Sequence, residues 1–293
     1  MLKKIKKFTK YSLLLLFIVF IAVFLWRLKD WTACCLSKIT DRIIVYHTDL
    51  PKQVLARGLP LFAANSNLVK AEAKEEEALS VKADLPRAKE LDGKNPLIAI
   101  YHTHTSESYI PWYGLSHTNG GKRGNIADVG SLLKKNLEAL NVPVVHSLNI
   151  HDYPTFRDSY RRSCVTATEL VRKYPSLRLI IDLHRDGGVK NKPVTKINGR
   201  LTAQVLLDVG TDRMGLKHPD WRQNLALNKA IKQAMDERYP GLCRGIVVAD
   251  ARYNQHVSPY AVLLEIGDEK CSQTEVANAA YFCAQVLADI VKK

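Results

Sequence analysis

Leu177–Gly187 reads LRLIIDLHRDG, and this stretch decides the fold. A short continuous run of branched apolar residues predicts a strand over 177–183 buried on both faces, the signature of a parallel sheet covered by helices. The flanking segments agree. On one side, 160–174 reads as a helix ended by Pro175; further out, Leu97–Tyr101 and Val142–Val145 read as strands and 126–140 has apolar residues at helical spacing. On the other side, 201–209 alternates as a strand expected to pair beside 177–183. A helix over 221–239 stopped by Pro240-Gly241, strands over 245–249 and 261–266, and a closing helix over 273–291 follow. Strands separated by long helical stretches predict an α/β domain with a mostly parallel central sheet and helices on both faces. Functional groups of such sheets gather at the carboxyl ends of the strands.

Upstream the pattern is different. Five lysines within the first ten residues precede Tyr11–Trp26, sixteen residues without a charge. That run lies between a signal-peptide core and the roughly 17–25 residues of a membrane-spanning helix. Arg27, Lys29 and Asp30 follow it directly, where cleavage would need small residues, so an uncleaved N-terminal transmembrane helix is expected. The basic flank keeps that end in the cytoplasm and sends the remainder out as the extracytoplasmic part of a single-pass membrane protein. Residues 1–30 are thus read as tail and anchor, 31–95 as a spacer, and 96–293 as the catalytic domain, with the charged stretch 70–96 running up to the boundary between the last two. Net charge is +14, of which about +8 lies beyond the first 30 residues. A basic part outside the membrane favours anionic wall polymers or lipid headgroups over nucleic acid, which is excluded as a partner. The six cysteines show no CxxC or metal-like spacing; buried thiols or disulfides would both fit.

Three polar clusters sit at predicted strand ends. LIAIYHTHTSES, 97–108, delivers His102, His104 and Glu107; LIIDLHRDG, 179–187, delivers Asp182, His184 and Asp186; AVLLEIGD, 261–268, carries Glu265. Together they suit a catalytic zinc ion, which takes three protein ligands, two His and a Glu being one known set, and keeps a position open for water. His104 and Glu107, three residues apart, can turn to one ion, and His184 from the neighbouring strand completes the set. Glu265 is then the carboxylate outside the metal that moves the proton. Alternatives remain open. His102 could replace His104, since strand alternation points both the same way, and Asp128 could replace Glu107. Asp182 and Asp186 could orient the ligands, and Arg185 or Arg123 could hold an oxyanion. No GxSxG, P-loop, GxGxxG or HExxH motif is present.

IYHTHTSESYIP, HDYP, LIIDLHRDG, YPGLCRGI and NQHVSPYAVLLEIG, in this order from about Pro96 to the C-terminus, resemble the stage II sporulation protein P family. The resemblance implies a fold similar to zinc amidases and zinc carboxypeptidases. It implies N-acetylmuramoyl-L-alanine amidase and D,D-endopeptidase activity on peptidoglycan during forespore engulfment, with stage II sporulation proteins D and M as partners. It supports His104, Glu107 and His184 on the metal with Glu265 as separate catalytic carboxylate, although in many zinc amidases the Glu ligand lies further along, near the position of Asp128. A non-catalytic wall-binding or septal scaffold domain, and a zinc peptidase acting on proteins, are the competing expectations.

Overall fold

The computed structural model describes residues 95–292. The expected anchor and most of the spacer lie outside these residues, and among the described residues no helix is long and apolar enough to cross a membrane.

Six strands form the central sheet: β1 (Ile98–Tyr101), β2 (Val144–His146), β3 (Leu179–Asp186), β6 (Val205–Gly210), β7 (Cys243–Ala249) and β8 (Ala261–Asp268), in the order β2-β1-β3-β8-β6-β7. The first four in this order run parallel; β6 and β7 are parallel to each other and meet β8 antiparallel. A hairpin of β4 (Val194–Ile197) and β5 (Arg200–Ala203) stands apart. The helices are the single turn α1 (Ile110–Tyr113), then α2 (Ile126–Glu138), α3 (Ser159–Lys173), α4 (Trp221–Arg238) and α5 (Gln273–Lys292).

Period-two alternation sorts the core into two layers. Ile98 and Ile100 of β1, Leu179, Ile181 and Leu183 of β3, and Val262 and Leu264 of β8 face α2, α4 and α5, where Val129, Leu133, Leu137, Ile231 and Val286 are buried against them. Ala99, Tyr101, Ile180 and Ala261 face the opposite way and pack with Ala167 and Leu170 of α3. Helices therefore cover both faces, as the apolar runs require. Gly130 lets α2 approach the sheet closely: a Cβ there would lie 2.7 Å from the His146 ring and 2.9 Å from that of His102.

One pairing differs from expectation. Residues 201–209 do not form one strand beside β3; they divide at Gln204 into β5 and β6, and β8 occupies the place next to β3. The reason is topological. Between Asp186 and Val205 the chain forms only the hairpin and no crossover helix, so it never returns to the other edge of the sheet. A parallel neighbour needs a dozen or more connecting residues that recross the sheet. β6 thus starts where β3 ends and runs backwards. This reversal brings the start of β7 to the carboxyl edge of β3, where Arg244 forms an ion pair with Asp186.

Candidate active site

The carboxyl ends of β1 and β3, with the middle of β8, meet on the sheet face covered by α3. Asp182 and His184 share the parity of Ile180, and Glu265 is the register partner of His184 on the adjacent strand. The chain leaves β1 at Tyr101 and folds back in a loop, with Glu107 N–H donating to the His104 carbonyl at 3.2 Å. Gly124 allows this loop to be covered tightly, since a Cβ at that position would lie 2.0 Å from the Glu107 carbonyl oxygen. The result brings Glu107 onto His184: its carboxylate oxygens lie 3.5 and 3.4 Å from His184 Nδ1. Arg185 N–H donates to Glu107 Oε2 at 3.0 Å.

His184 is enclosed by carboxylates. Its Nε2 lies 2.9 Å from Asp182 Oδ1, yet off the line of a hydrogen bond, so that this buried nitrogen has no hydrogen-bond partner. Asp182 is itself fixed by the backbone N–H (2.8 Å) and hydroxyl (2.5 Å) of Thr103. Burial alone would lower the His184 pKa, but the charges of Asp182 and Glu107 reverse this and hold it well above its ordinary value. For Glu107 burial works upward, and His184, His104 and Arg185 outweigh it, keeping the carboxyl ionised below its ordinary range.

His104 reaches the same place from the β1 loop. Its ring is 5.2 Å from that of His184, stacks flat on Phe156 at 4.1 Å, and meets Tyr160 edge-on at 5.5 Å. Burial, and then the neighbouring His184, lowers its pKa to about 4. His104 is therefore a neutral imidazole at ordinary pH, and its buried Nδ1 has no hydrogen-bond partner. Glu265 keeps partial exposure, but its Oε2 is buried and also without a partner. Burial, reinforced by Asp208, Glu107 and Asp186 against the pull of His184, raises its pKa well above the ordinary carboxyl range.

The alternatives sort out by geometry. His102 does not share the direction of His104, because β1 has ended. It is fully buried on the α2 side, with its Nδ1 2.8 Å from the Leu183 carbonyl and its Nε2 2.7 Å from His146 Nε2. Asp128 is exposed on the first turn of α2 and accepts a hydrogen bond from the Asn125 amide at 3.1 Å. Asp186 turns to Arg244 and to Gly187 N–H, leaving Asp182 as the aspartate beside His184. Arg185 is spent on the carbonyls of Ser108 (2.8 Å), Ser116 (2.5 Å) and Asp186 (3.2 Å), so it ties the loop down and does not face an oxyanion. Among the described residues no three His, Cys, Asp or Glu side chains close into a ready-made cation cage. Cys243, Cys271 and Cys283 are buried free thiols and Cys164 is a half-buried one; Cys34 and Cys35 lie outside the described residues.

Three neighbours of the site were not foreseen. Phe156 and Tyr160 form the aromatic wall of His104, and a sequence carries no signal for that. Asp208 was legible, being a lone carboxylate within the apolar strand VLLDVG, just as Glu265 stands within AVLLEIG. Burial and then Asp186 raise its pKa to about 7.

Residues 61–288 match the family model described as Stage II sporulation protein P. The chain belongs to that family. A curated member, the stage II sporulation protein P of Bacillus subtilis (strain 168), is 26% identical over 239 residues, covering 77% of this chain and 58% of the relative. The chain thus spans rather more than half the length of that protein. Among solved structures, the N-acetylmuramoyl-L-alanine amidase Ami1 of Mycobacterium smegmatis is similar at 15% identity, covering 67% of this chain and 97% of that one, with a TM-score of 0.42. The amidase AmiC2 of Nostoc punctiforme is similar at 11% identity, with coverages of 67% and 95% and a TM-score of 0.40. At such scores nothing about chemistry follows from the likeness. The segment Asn254–His256 has a bracing role: the Asn254 amide donates to the Tyr160 carbonyl at 2.7 Å, and Gln255 bridges Gly210 N–H and the Asp208 carbonyl.

Proposed function

We propose that this member of the stage II sporulation protein P family is a membrane-anchored, zinc-dependent peptidoglycan hydrolase. It cleaves the N-acetylmuramoyl-L-alanine amide and peptide cross-links outside the cytoplasmic membrane during sporulation, in company with stage II sporulation proteins D and M. The observation that carries the reading is the approach of Glu107 to His184. A separation of 3.4–3.5 Å is long for a charge-assisted hydrogen bond. It suits two ligands of one tetrahedral ion, whose donor atoms at about 2.0–2.2 Å from zinc stand roughly 3.3–3.5 Å apart. Two further features support the reading. His104 is neutral with an unpartnered Nδ1, and Asp182 lies against the far nitrogen of His184, where an orienting carboxylate belongs.

His104, Glu107 and His184 would hold the metal, which when bound supplies a water acidified towards neutral pH and polarises the scissile carbonyl. The protein's own part is proton handling and positioning. Glu265 stands beside His184 on the next strand with a proton affinity raised by burial. A carboxylate so tuned takes the proton of the attacking water and returns it to the leaving nitrogen. Thr103 fixes Asp182, whose charge lies against His184, while Phe156 and Tyr160 pack on the His104 ring. The test is mass spectrometry of soluble products from purified peptidoglycan, with and without a zinc chelator. Released stem peptides and opened cross-links that vanish with chelator and return with zinc are expected. Wall bound but uncut would favour the scaffold reading, and cleavage of casein with indifference to wall would favour a protein-directed peptidase.

A further inference from the structure

A cavity of about 470 Å³ is lined among others by Ser106, Asn119, Asp152, Tyr153 and Phe156, the last being the ring that stacks on His104. Two of its lining side chains are half-exposed aromatic rings. Phe156 gives one face to the His104 ring and is still 54% exposed. Tyr153, 55% exposed, is backed by Gly121, where a Cβ would lie 3.0 Å from the Tyr153 ring. Gly121 also has φ +71°, so both its conformation and the ring above it demand glycine. The tyrosine ring thus rests against Gly121 and is still more than half exposed. The polar wall is fixed too: Asp152 Oδ2 accepts the Ser106 N–H at 2.7 Å.

Flat, supported aromatic faces with a fixed carboxylate and an amide alongside suit a ligand that is apolar on one face and rich in hydrogen-bond donors at its edge. A pyranose ring has that shape: a face of axial C–H bonds, and equatorial hydroxyl and acetamido groups around it. An anionic wall polymer would meet the carboxylate of Asp152, and an aliphatic peptide arm would leave that carboxylate and Asn119 unused. The volume is within the range of small-molecule sites. Resting on the wall-hydrolase reading above, we propose that this cavity is a saccharide subsite that seats an N-acetylhexosamine of the glycan strand on Tyr153 and Phe156. The seat places the glycan next to His104, whose ring Phe156 covers.

The test is calorimetric titration of the full chain with the β-1,4-linked tetramer of N-acetylglucosamine, which contains no amide to a stem peptide. Saturable binding is expected, weakened about tenfold in Tyr153→Ala and in Tyr153→Leu, the latter keeping apolar bulk on Gly121 without a flat ring. Tyr153→Phe should bind as the parent does. Equal affinity in the parent and both ring-deleted variants, or no tetramer binding by a chain that degrades wall normally, would overturn the subsite and leave the hydrolase standing. Ring-dependent tetramer binding by a chain that cuts no wall would support the subsite and overturn the hydrolase.

Discussion

Glu265→Gln separates the proposed base from the proposed ligands. Glu265 Oε2 is buried and makes no hydrogen bond, so the substitution keeps the volume of the side chain and breaks no contact of that atom. What it removes is a carboxylate able to take a proton. Loss of a positioned general base costs roughly 100-fold or more in turnover, about 2.7 kcal/mol at 1.36 kcal/mol per decade. Stability should move the other way. The folded-state pKa of Glu265 is raised, so the stability it contributes is full below the ordinary carboxyl range and is lost as pH rises through the raised value. Glutamine does not titrate, and the metal-free variant should therefore melt at or above the parent at pH 8. The assays are product release from purified peptidoglycan, zinc content by atomic absorption, and calorimetric melting. Expected together are near-stoichiometric zinc, wall still bound, bonds uncut and an undiminished Tm. Near-normal turnover with zinc retained would make Glu265 structural and refute the mechanism. Lost zinc would make it a ligand and return the base to Asp208 or Glu107.

Glu107→Gln should lower zinc occupancy well below that of Asp128→Asn, because Glu107 lies against His184 while Asp128 is exposed at the start of α2; the reverse order, read by equilibrium dialysis, would transfer the ligand role. Gly130→Ala drives a methyl into the His102–His146 pair. Overpacking of this kind costs about 1–3 kcal/mol, a fall in Tm of roughly 2–12 °C for a domain of this size, and an unchanged melt would show that α2 shifts freely. Asp208 has its pKa raised to about 7, so its stabilising contribution is complete below about pH 4 and lost as pH rises through 7. In metal-free Asp208→Asn, Tm should consequently fall less between pH 4 and 8 than in the parent, and parallel pH profiles would refute the burial of that carboxyl.

The amino-acid sequence by itself determined the elements and their class. Seven of the eight residues of β3 are buried, which leaves no face for water, and the spacing of Ile126, Val129, Leu133 and Leu137 can bury one helix stripe only; these are local, periodic properties. It also marked His104, Glu107, His184 and Glu265 as candidates, because three polar clusters fall together on apolar strands, although Glu265 lies within β8 and not at its far end. Tertiary structure decided everything that depends on connection and direction. The absence of a crossover between β3 and β6 reversed β6, put β8 beside β3, and so made Glu265 the neighbour of His184. The early end of β1 at Tyr101 turned His102 into the core against Leu183 and His146 and left His104 at the site. Phe156 and Tyr160 reach His104, and Tyr153 the cavity beside Phe156, from about fifty residues further along the chain, and no periodicity within a segment encodes which rings will meet across such a distance.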